Sequence, residues 1–378
     1  MNDDYLLERG QEILSDRVKV IESSGIRRVF DLGAKAVNPI NFAIGQPDFP
    51  TPAAVREAAK KAIDDGKNGY TPTQGIDPLR AAVAEKLNKE NTIPCKMEDV
   101  LITAGSSGGL FLSMASVLNP GDEIIIPDPY FVIYIQLARF FGAKPVLIDT
   151  YPDFQIDPQK VADAITPRTK AIILNTPNNP TGAVYPRSTL EAIAEIVGRH
   201  GILVISDEVY EHYVYDGLRH FSIASVYPFT VTVNAFSKSH ALTGWRIGYA
   251  VAPRPIFNKM AELQQYTFIC APSFAQAAMA AVMPAGPASE ISTYQKRRDL
   301  MYSLLSRKFK VTKPQGSFYI MPEVDGMDST EFVEQSIARN VLIIPGAIFS
   351  SRGTHVRLSY STSEDNIRRG AEILCSLA

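Results

Sequence analysis

The sequence predicts an α/β protein built on a mainly parallel sheet, and three observations carry that prediction. Between about residues 100 and 250, short β-rich runs alternate with helical stretches, the order that places helices on the faces of a parallel sheet. Most of those runs are continuously apolar rather than alternating, as expected for strands buried on both faces. After about residue 285 the texture changes to a charged helix, short strands and a final helix, which reads as a smaller α+β domain.

Taken in order, the stretch up to about Asn41 opens acidic and amphipathic (MNDDYLLERGQEILSDR), has no evident partner in the sheet and is expected to pack on it. The strand candidates follow as VLITAG, EIIIPDP, KPVLID, KAIILNTP, ILVISDE, TVTVNAFS and WRIGYAVA. Helical periodicity fills the gaps; in RSTLEAIAEIVGRH, Ser188 is placed to cap the start. The last region holds the helix ISTYQKRRDLMYSLLSRKF, in which Lys296 to Arg298 read as a solvated face. The strands SFYIMPEV, VLIIPG and HVRLSYS and the helix EDNIRRGAEILCSL complete it. No internal repeat, low-complexity tract or long linker interrupts the chain.

Composition bounds the function. At 378 residues the chain is long for one core, so two domains are expected. A net charge of −2 argues against a polyanion partner, and nucleic acid is not expected. No basic start with an apolar run marks a signal peptide, and no apolar stretch reaches the roughly 18 residues of a membrane span. Cys95, Cys270 and Cys375 are odd in number and far apart, which fits a reducing cytoplasm rather than a disulfide framework. None of the five histidines has metal-ligand spacing to another histidine or a cysteine, and no metal is expected.

The chemistry concentrates at strand ends, where open parallel sheets collect ligands. ILVISDEVY sets Asp207, Glu208 and Tyr210 directly after apolar residues, and an acid there is costly without a cation or donor to meet it. KAIILNTPNNPTG ends in a turn carrying Asn175, Asn178 and Asn179. TVTVNAFSK ends in Ser237 and Lys238, and Arg246 follows eight positions on, beside the only tryptophan. VLITAG runs through Gly105, Ser106, Ser107, Gly108 and Gly109 into a helix, a generic anion site without a dinucleotide or nucleotide-triphosphate fingerprint.

These pieces occur in an order that resembles the class I/II aminotransferases, fold type I enzymes that use pyridoxal 5′-phosphate. The matching stretches are Gly45 to Phe49, Tyr70-Thr71-Pro72 with Gly75 and Leu79-Arg80, Asn175 to Gly182, Asp207 to Tyr210, Ser237-Lys238 with Arg246, and His355 to Leu358. Together they span roughly residues 15 to 375. The resemblance implies a large domain with a mainly parallel seven-stranded sheet over residues 46–284 and a small α+β domain over 285–378, with residues 1–45 packing against the small domain. It implies a homodimer in which Tyr70 serves the neighbouring site.

It also implies roles. Lys238 bonds the cofactor aldehyde and later carries a proton, Asp207 faces the pyridine nitrogen, and Tyr210 and Asn179 reach the ring oxygen. Arg246, Ser106, Ser107, Ser237 and the neighbour's Tyr70 hold the phosphate. Tyr130 stacks on the ring, while Phe131 and Tyr134 pack in the core and Trp245 packs beside Arg246. Arg357 grips the substrate α-carboxylate, helped by Asn179 and the backbone near Gly45, and cis peptides are implied before Pro129 and Pro180. One departure stands out: many relatives carry a hydroxyl three residues before the lysine, and this chain has Ala235, so that phosphate contact is lost unless Ser237 replaces it.

The implied activity is transfer of an amino group from an L-amino acid to a 2-oxo acid, with 2-oxoglutarate as the expected acceptor, by a ping-pong route. A C–S β-lyase or an aminocyclopropane-carboxylate-type synthase would share the same core residues. A cofactor-binding regulator would need an appended DNA-binding segment, for which there is no room before Gly45. The residues that would choose the substrate side chain, around Ile44, Tyr70, residues 106–109, Tyr130 and residues 266–274, do not name a donor; the aromatic content of the last stretch leans toward an apolar or aromatic one.

Overall fold

The computed structural model describes residues 3–23, 25–26, 29, 37–283 and 288–378. Its centre is a seven-stranded sheet made of β2 (Val100–Thr103), β3 (Glu123–Asp128), β4 (Lys144–Asp149), β5 (Thr169–Asn175), β6 (Leu203–Asp207), β7 (Thr230–Ala235) and β8 (Gly248–Val251), in the order β2-β8-β7-β6-β5-β3-β4. Strands β7, β6, β5, β3 and β4 run parallel, and only β8 is antiparallel to both of its neighbours. The seven strands correspond to the seven apolar runs.

The pleat explains why those runs are unbroken. Successive side chains point to opposite faces. Ile124, Ile126, Ile173, Leu203 and Ile205 join one core, under the helices Gly105–Val117 and Arg254–Thr267. Their neighbours Ile125, Ile172, Leu174 and Val204 join another, under the helix Arg187–His200. Both faces are therefore dry. The edge strand β4 is the exception and is largely exposed. The helix Arg187–His200 begins one residue before the expected cap: Pro186 occupies the N-cap position with no side-chain hydrogen bond, and Ser188 lies inside the first turn.

A second region builds another core, which reaches into the first at Val209, Tyr210, Tyr213 and Ala235. Strands β9 (Tyr319–Ile320), β11 (Ile344–Pro345) and β12 (Val356–Ser359) form an antiparallel sheet in the order β11-β12-β9. The helix Ala288–Leu305 packs against the helix Glu364–Cys375. The N-terminal stretch does find a strand partner, though not in the large sheet: β1 (Ile40–Asn41) pairs in parallel with β10 (Val341–Leu342) of this second region. The boundary expected at 284/285 lies outside the described residues.

The expected solvated face at Lys296 to Arg298 holds for Lys296 alone. Arg298 is 0% exposed. Its Nη2 donates to Asp216 Oδ1 at 2.7 Å, and its Nη1 donates to Asp216 Oδ2 at 2.9 Å and to the Pro314 carbonyl at 2.6 Å. Arg297 donates to both oxygens of Asp48.

Candidate active site

The carboxyl ends of β5, β6 and β7, the start of the helix Gly105–Val117 and strand β12 of the second region border one cavity of about 210 Å³. Ten of the twelve expected site residues line it: Gly45, Ser106, Ser107, Asn179, Asp207, Tyr210, Ser237, Lys238, Arg246 and Arg357. Asn175, Thr243, Tyr134, Phe131, Val209, Ile26 and Tyr319 complete the wall.

Lys238 sits on the single helical turn Phe236–Ser239 that closes β7. Its Nζ donates to the Gly45 carbonyl, and its own carbonyl accepts from the Tyr213 hydroxyl at 2.8 Å. Burial, helped by the cations of Arg357 and Arg246, holds the Lys238 amine down at about 8. Roughly a tenth of it is therefore free amine at pH 7, far more than for an ordinary lysine, and that is the form that can attack an aldehyde.

Asp207 ends β6 on the face of Leu203 and Ile205. Its Oδ2 accepts from the Tyr134 hydroxyl at 2.7 Å and its Oδ1 from the Val209 amide at 3.3 Å. Burial lifts its carboxyl to about 6 against the pull of those two donors. Asn175 donates to the Asp207 carbonyl at 2.9 Å and accepts from the Asn179 amide at 2.8 Å, so the two strand-end turns are tied together. The Tyr210 and Tyr319 hydroxyls share a hydrogen bond of 3.0 Å.

Arg357, on β12, is 2% exposed. Its Nη1 donates to Asn179 Oδ1 at 3.1 Å and its Nη2 to the Ala43 carbonyl at 3.0 Å. The guanidinium lies 4.5 Å from the ring centres of both Tyr319 and Phe349. Its Nε has no hydrogen-bond partner, and among the described residues no carboxylate pairs with it. A buried cation left unpaired is expensive unless an anion arrives to meet it.

The anion cup lies at the other end. The helix Gly105–Val117 starts at Ala104 with no side-chain cap, which leaves its first amides open toward the cavity. Arg246, in a left-handed backbone conformation at φ 51°, donates to the Thr243 carbonyl at 2.9 Å. It passes so close to Gly105 that a Cβ there would stand 2.5 Å from Nη2. With the positive φ of Gly105 as well, only glycine leaves room for this guanidinium beside this helix start. Ala235 lies buried in β7 and is not part of the wall, whereas Ser237 is. Trp245 packs against Phe274.

Two expectations fall elsewhere. Tyr130 does not reach this cavity; it lines a neighbouring one with Gln136, Arg139 and Ile348. The aromatic side chains facing the site from that turn are Phe131 and Tyr134, which the sequence had assigned to the core. Past Asp128 the chain leaves the strand, so the two-residue alternation no longer tells which of two adjacent aromatics turns inward. Tyr70 is 84% exposed and does not line this chain's own crevice. Peptides 128–129 and 179–180 are cis, as are 151–152 and 176–177.

The arrangement fits pyridoxal phosphate: a lysine of lowered basicity for the aldehyde, a carboxylate for the ring nitrogen, a helix start with an arginine for the phosphate, and an arginine that meets no carboxylate among the described residues for a substrate carboxylate. The comparisons agree. The family described as aminotransferase class I and II matches residues 37–374. A probable aspartate aminotransferase of Methanocaldococcus jannaschii is 39% identical over 373 residues, covering 96% of this chain and 99% of the relative. The aspartate/prephenate aminotransferase of Thermus thermophilus is 39% identical over 375 residues, covering 95% and 97%. A solved Thermus thermophilus aspartate aminotransferase with maleate superposes with a TM-score of 0.92 at 38% identity, covering 97% of this chain and 99% of that one. The chain belongs to the class I and II aminotransferases, enzymes that use pyridoxal phosphate to move an amino group from an L-amino acid to a 2-oxo acid.

Proposed function

We propose that this crevice carries out both halves of that transfer with 2-oxoglutarate as the acceptor, and that Lys238, Asp207, Tyr210 and Arg357 carry the chemistry. The observation behind this reading is the pairing of a lysine held at about 8 with a fully buried, carboxylate-free arginine on one cavity wall. Pyridoxal phosphate supplies an electron-accepting ring that takes up the charge left when the substrate Cα is deprotonated. Asp207 keeps a proton on the ring nitrogen, and the Tyr134 hydroxyl holds that carboxylate in orientation. Lys238 would hold the cofactor and, freed by the substrate amine, would carry the proton taken from the substrate Cα. Tyr210 and Asn179 donate to the ring oxygen. Arg357 anchors the α-carboxylate, a bidentate task suited to a planar guanidinium. Arg246, Ser106, Ser107 and Ser237 hold the phosphate.

Aspartate is the donor that the relatives' names put forward, and Phe131, Tyr210 and Tyr319 in the wall suit an aromatic donor as well. We place residues 46–284 and 285–378 in two lobes, with 1–45 on the smaller. Arg357 and Lys238 stand on different lobes, so substrate binding draws them together. We also propose a homodimer. Tyr70 and Tyr266 are 84% and 86% exposed, and the Tyr70 loop is tied to the same surface through Gln264–Thr73 and Gln276–Thr71 hydrogen bonds. No helix among the described residues is long and apolar enough to cross a membrane. With three free thiols, a cytoplasmic location is our reading.

The test uses protein loaded with pyridoxal phosphate and given L-aspartate, L-phenylalanine or L-tyrosine singly, without an oxo acid. Stoichiometric oxo acid with conversion of the cofactor to its pyridoxamine form supports the proposal. Retained pyridoxal phosphate with release of a thiol, ammonia and pyruvate from an S-alkyl-L-cysteine, given in the same way, would instead establish the β-lyase reading.

A further inference from the structure

Behind the lysine, on the side of β7 away from the crevice, lies a second group of buried charges that the reaction does not use. Val231 and Val233 of β7 join the core that also holds Ile205, so Asn234 leaves the strand on the opposite side. There Asn234 Nδ2 donates to Glu211 Oε1 at 2.6 Å, while Asn234 Oδ1 accepts from the Ala235 amide at 2.7 Å. Glu211 also accepts from Lys86 Nζ and, at 2.7 Å, from Asn91 Nδ2. Burial opposes the Glu211 charge, but Lys86, His212 and His220 outweigh it and hold the carboxyl at about 2. Glu90 stands 4.0 Å from Lys86, His212 stands 3.6 Å from Glu211, and Glu208 is matched to His220 at 2.9 Å.

We infer that Glu211, acting through Asn234, is a positioning residue that holds Lys238 and Tyr210 at their working separation. Glu211 follows Tyr210 directly, in a turn closed by its own amide on the Glu208 carbonyl at 2.9 Å and by the Tyr213 amide on the Tyr210 carbonyl at 2.8 Å. That turn grips the lysine segment twice: in front through the Tyr213 hydroxyl on the Lys238 carbonyl, and behind through Glu211 on Asn234. Between those two grips Lys238 Nζ stands 5.8 Å from the Tyr210 ring centre.

Packing does only part of this work. Phe236 packs on Tyr249, but a cavity of about 180 Å³ borders Phe236, Ser239 and His240 beside the Asn234–Glu211 hydrogen bond, so the lysine turn is not floored throughout. Where side chains do not interlock, directional hydrogen bonds set the geometry. A buried ion pair adds little net stability, and a role in fixing one arrangement gives it a reason to be there.

The inference rests on the proposed proton-carrying role of Lys238, and two charge-neutral double variants of the loaded enzyme test it. Lys86→Met with Glu211→Gln keeps an acceptor for Asn234, and Asn91 Oδ1, released by Lys86, can take the new amide. Lys86→Met with Glu211→Leu removes that acceptor. The readouts are the single-turnover rate with one donor, its Cα-deuterium isotope effect, the pH midpoint of the visible band of the lysine-bound cofactor, and the melting temperature. The glutamine pair should keep the parent's isotope effect and midpoint. The leucine pair should slow proton transfer roughly tenfold, enlarge the isotope effect and move the midpoint, with the donor KM unchanged. Should the leucine pair not fold, Asn234→Ala makes the same cut from the other side. If the two pairs match in isotope effect and midpoint and differ only in melting temperature, the network is structural and the inference is overturned. If the parent enzyme itself shows no half-reaction, the fault lies with the role given to Lys238.

Discussion

Arg298 and Arg357 are the two largest side chains wholly withdrawn from solvent, and the regions around them treat the same charge in opposite ways. Around Arg298 carboxylates stand on two sides: Asp216 takes both terminal nitrogens, the Pro314 carbonyl takes one of them again, Asp299 stands 2.8 Å from Nε without hydrogen-bond geometry, and Tyr215 stacks at 4.9 Å. Around Arg357 two aromatic rings and two neutral acceptors are all that meet it. The first guanidinium is countered and ties the second region to Asp216 of the first. The second guanidinium meets no carboxylate among the described residues. Burial alone does not mark a functional arginine; burial without a counter-charge does.

The comparison can be pressed hardest at the lysine. Lys238→Ala should abolish the visible band of lysine-bound cofactor and cut transamination by roughly 10²–10⁴-fold or more, measured as single-turnover conversion of a donor. In the parent, cofactor uptake by apo protein should rise with pH around a midpoint of about 8, where burial has brought the amine. A midpoint near the ordinary lysine value would contradict the electrostatic picture of the crevice.

Arg357→Lys should cost roughly 10- to 100-fold in kcat/KM, mostly as a raised donor KM, because an ammonium cannot match the carboxylate bidentately. Arg298→Lys, as the counterpart, should leave kcat/KM within about twofold and appear in the melting temperature instead.

Asp207 sharpens the same contrast in one residue. Burial lifts its carboxyl to about 6, so the native apo chain holds that proton more tightly than the unfolded chain does. Apo stability must therefore fall as pH rises from the ordinary carboxylate range through about 6. Asp207→Asn should remove that loss and raise apo stability at pH 7 by about 2–3 kcal/mol, while sharply reducing transamination. Chemical denaturation at pH 5 and pH 7 reads both effects. The smallest effect separates two adjacent aromatics: Phe131→Leu should weaken cofactor affinity several-fold, and Tyr130→Leu should leave it near the parent value in equilibrium dialysis.

That last pair also shows where the sequence stopped being readable. The parallel sheet was legible because Ile124, Ile125 and Ile126 must be buried on both faces, which writes itself as an unbroken apolar run. Lys238, Asp207 and Asn179 were legible because polar residues directly after such runs need a partner, and a crevice at the strand ends supplies one. Phe131 was not, since it lies past the end of β3, where no periodicity says which way a side chain turns. Arg298 was missed for a different reason. Its partner Asp216 comes from 82 residues earlier, and helical spacing within KRR carries no trace of it. Tyr134 and Tyr319 touch the site through contacts made only in three dimensions, with Asp207 and Tyr210 respectively.

The most direct measurement is thermal unfolding of the apo chain carrying Arg357→Met, set beside Arg298→Met. An unpaired buried guanidinium held ready for substrate predicts that Arg357→Met melts no lower than the parent while binding no donor. Arg298→Met, by the same argument, should lose about 3 kcal/mol yet retain its donor affinity. If Arg357→Met instead falls as far as Arg298→Met, Arg357 is a structural residue, and the anion-seeking crevice at the centre of this account is wrong.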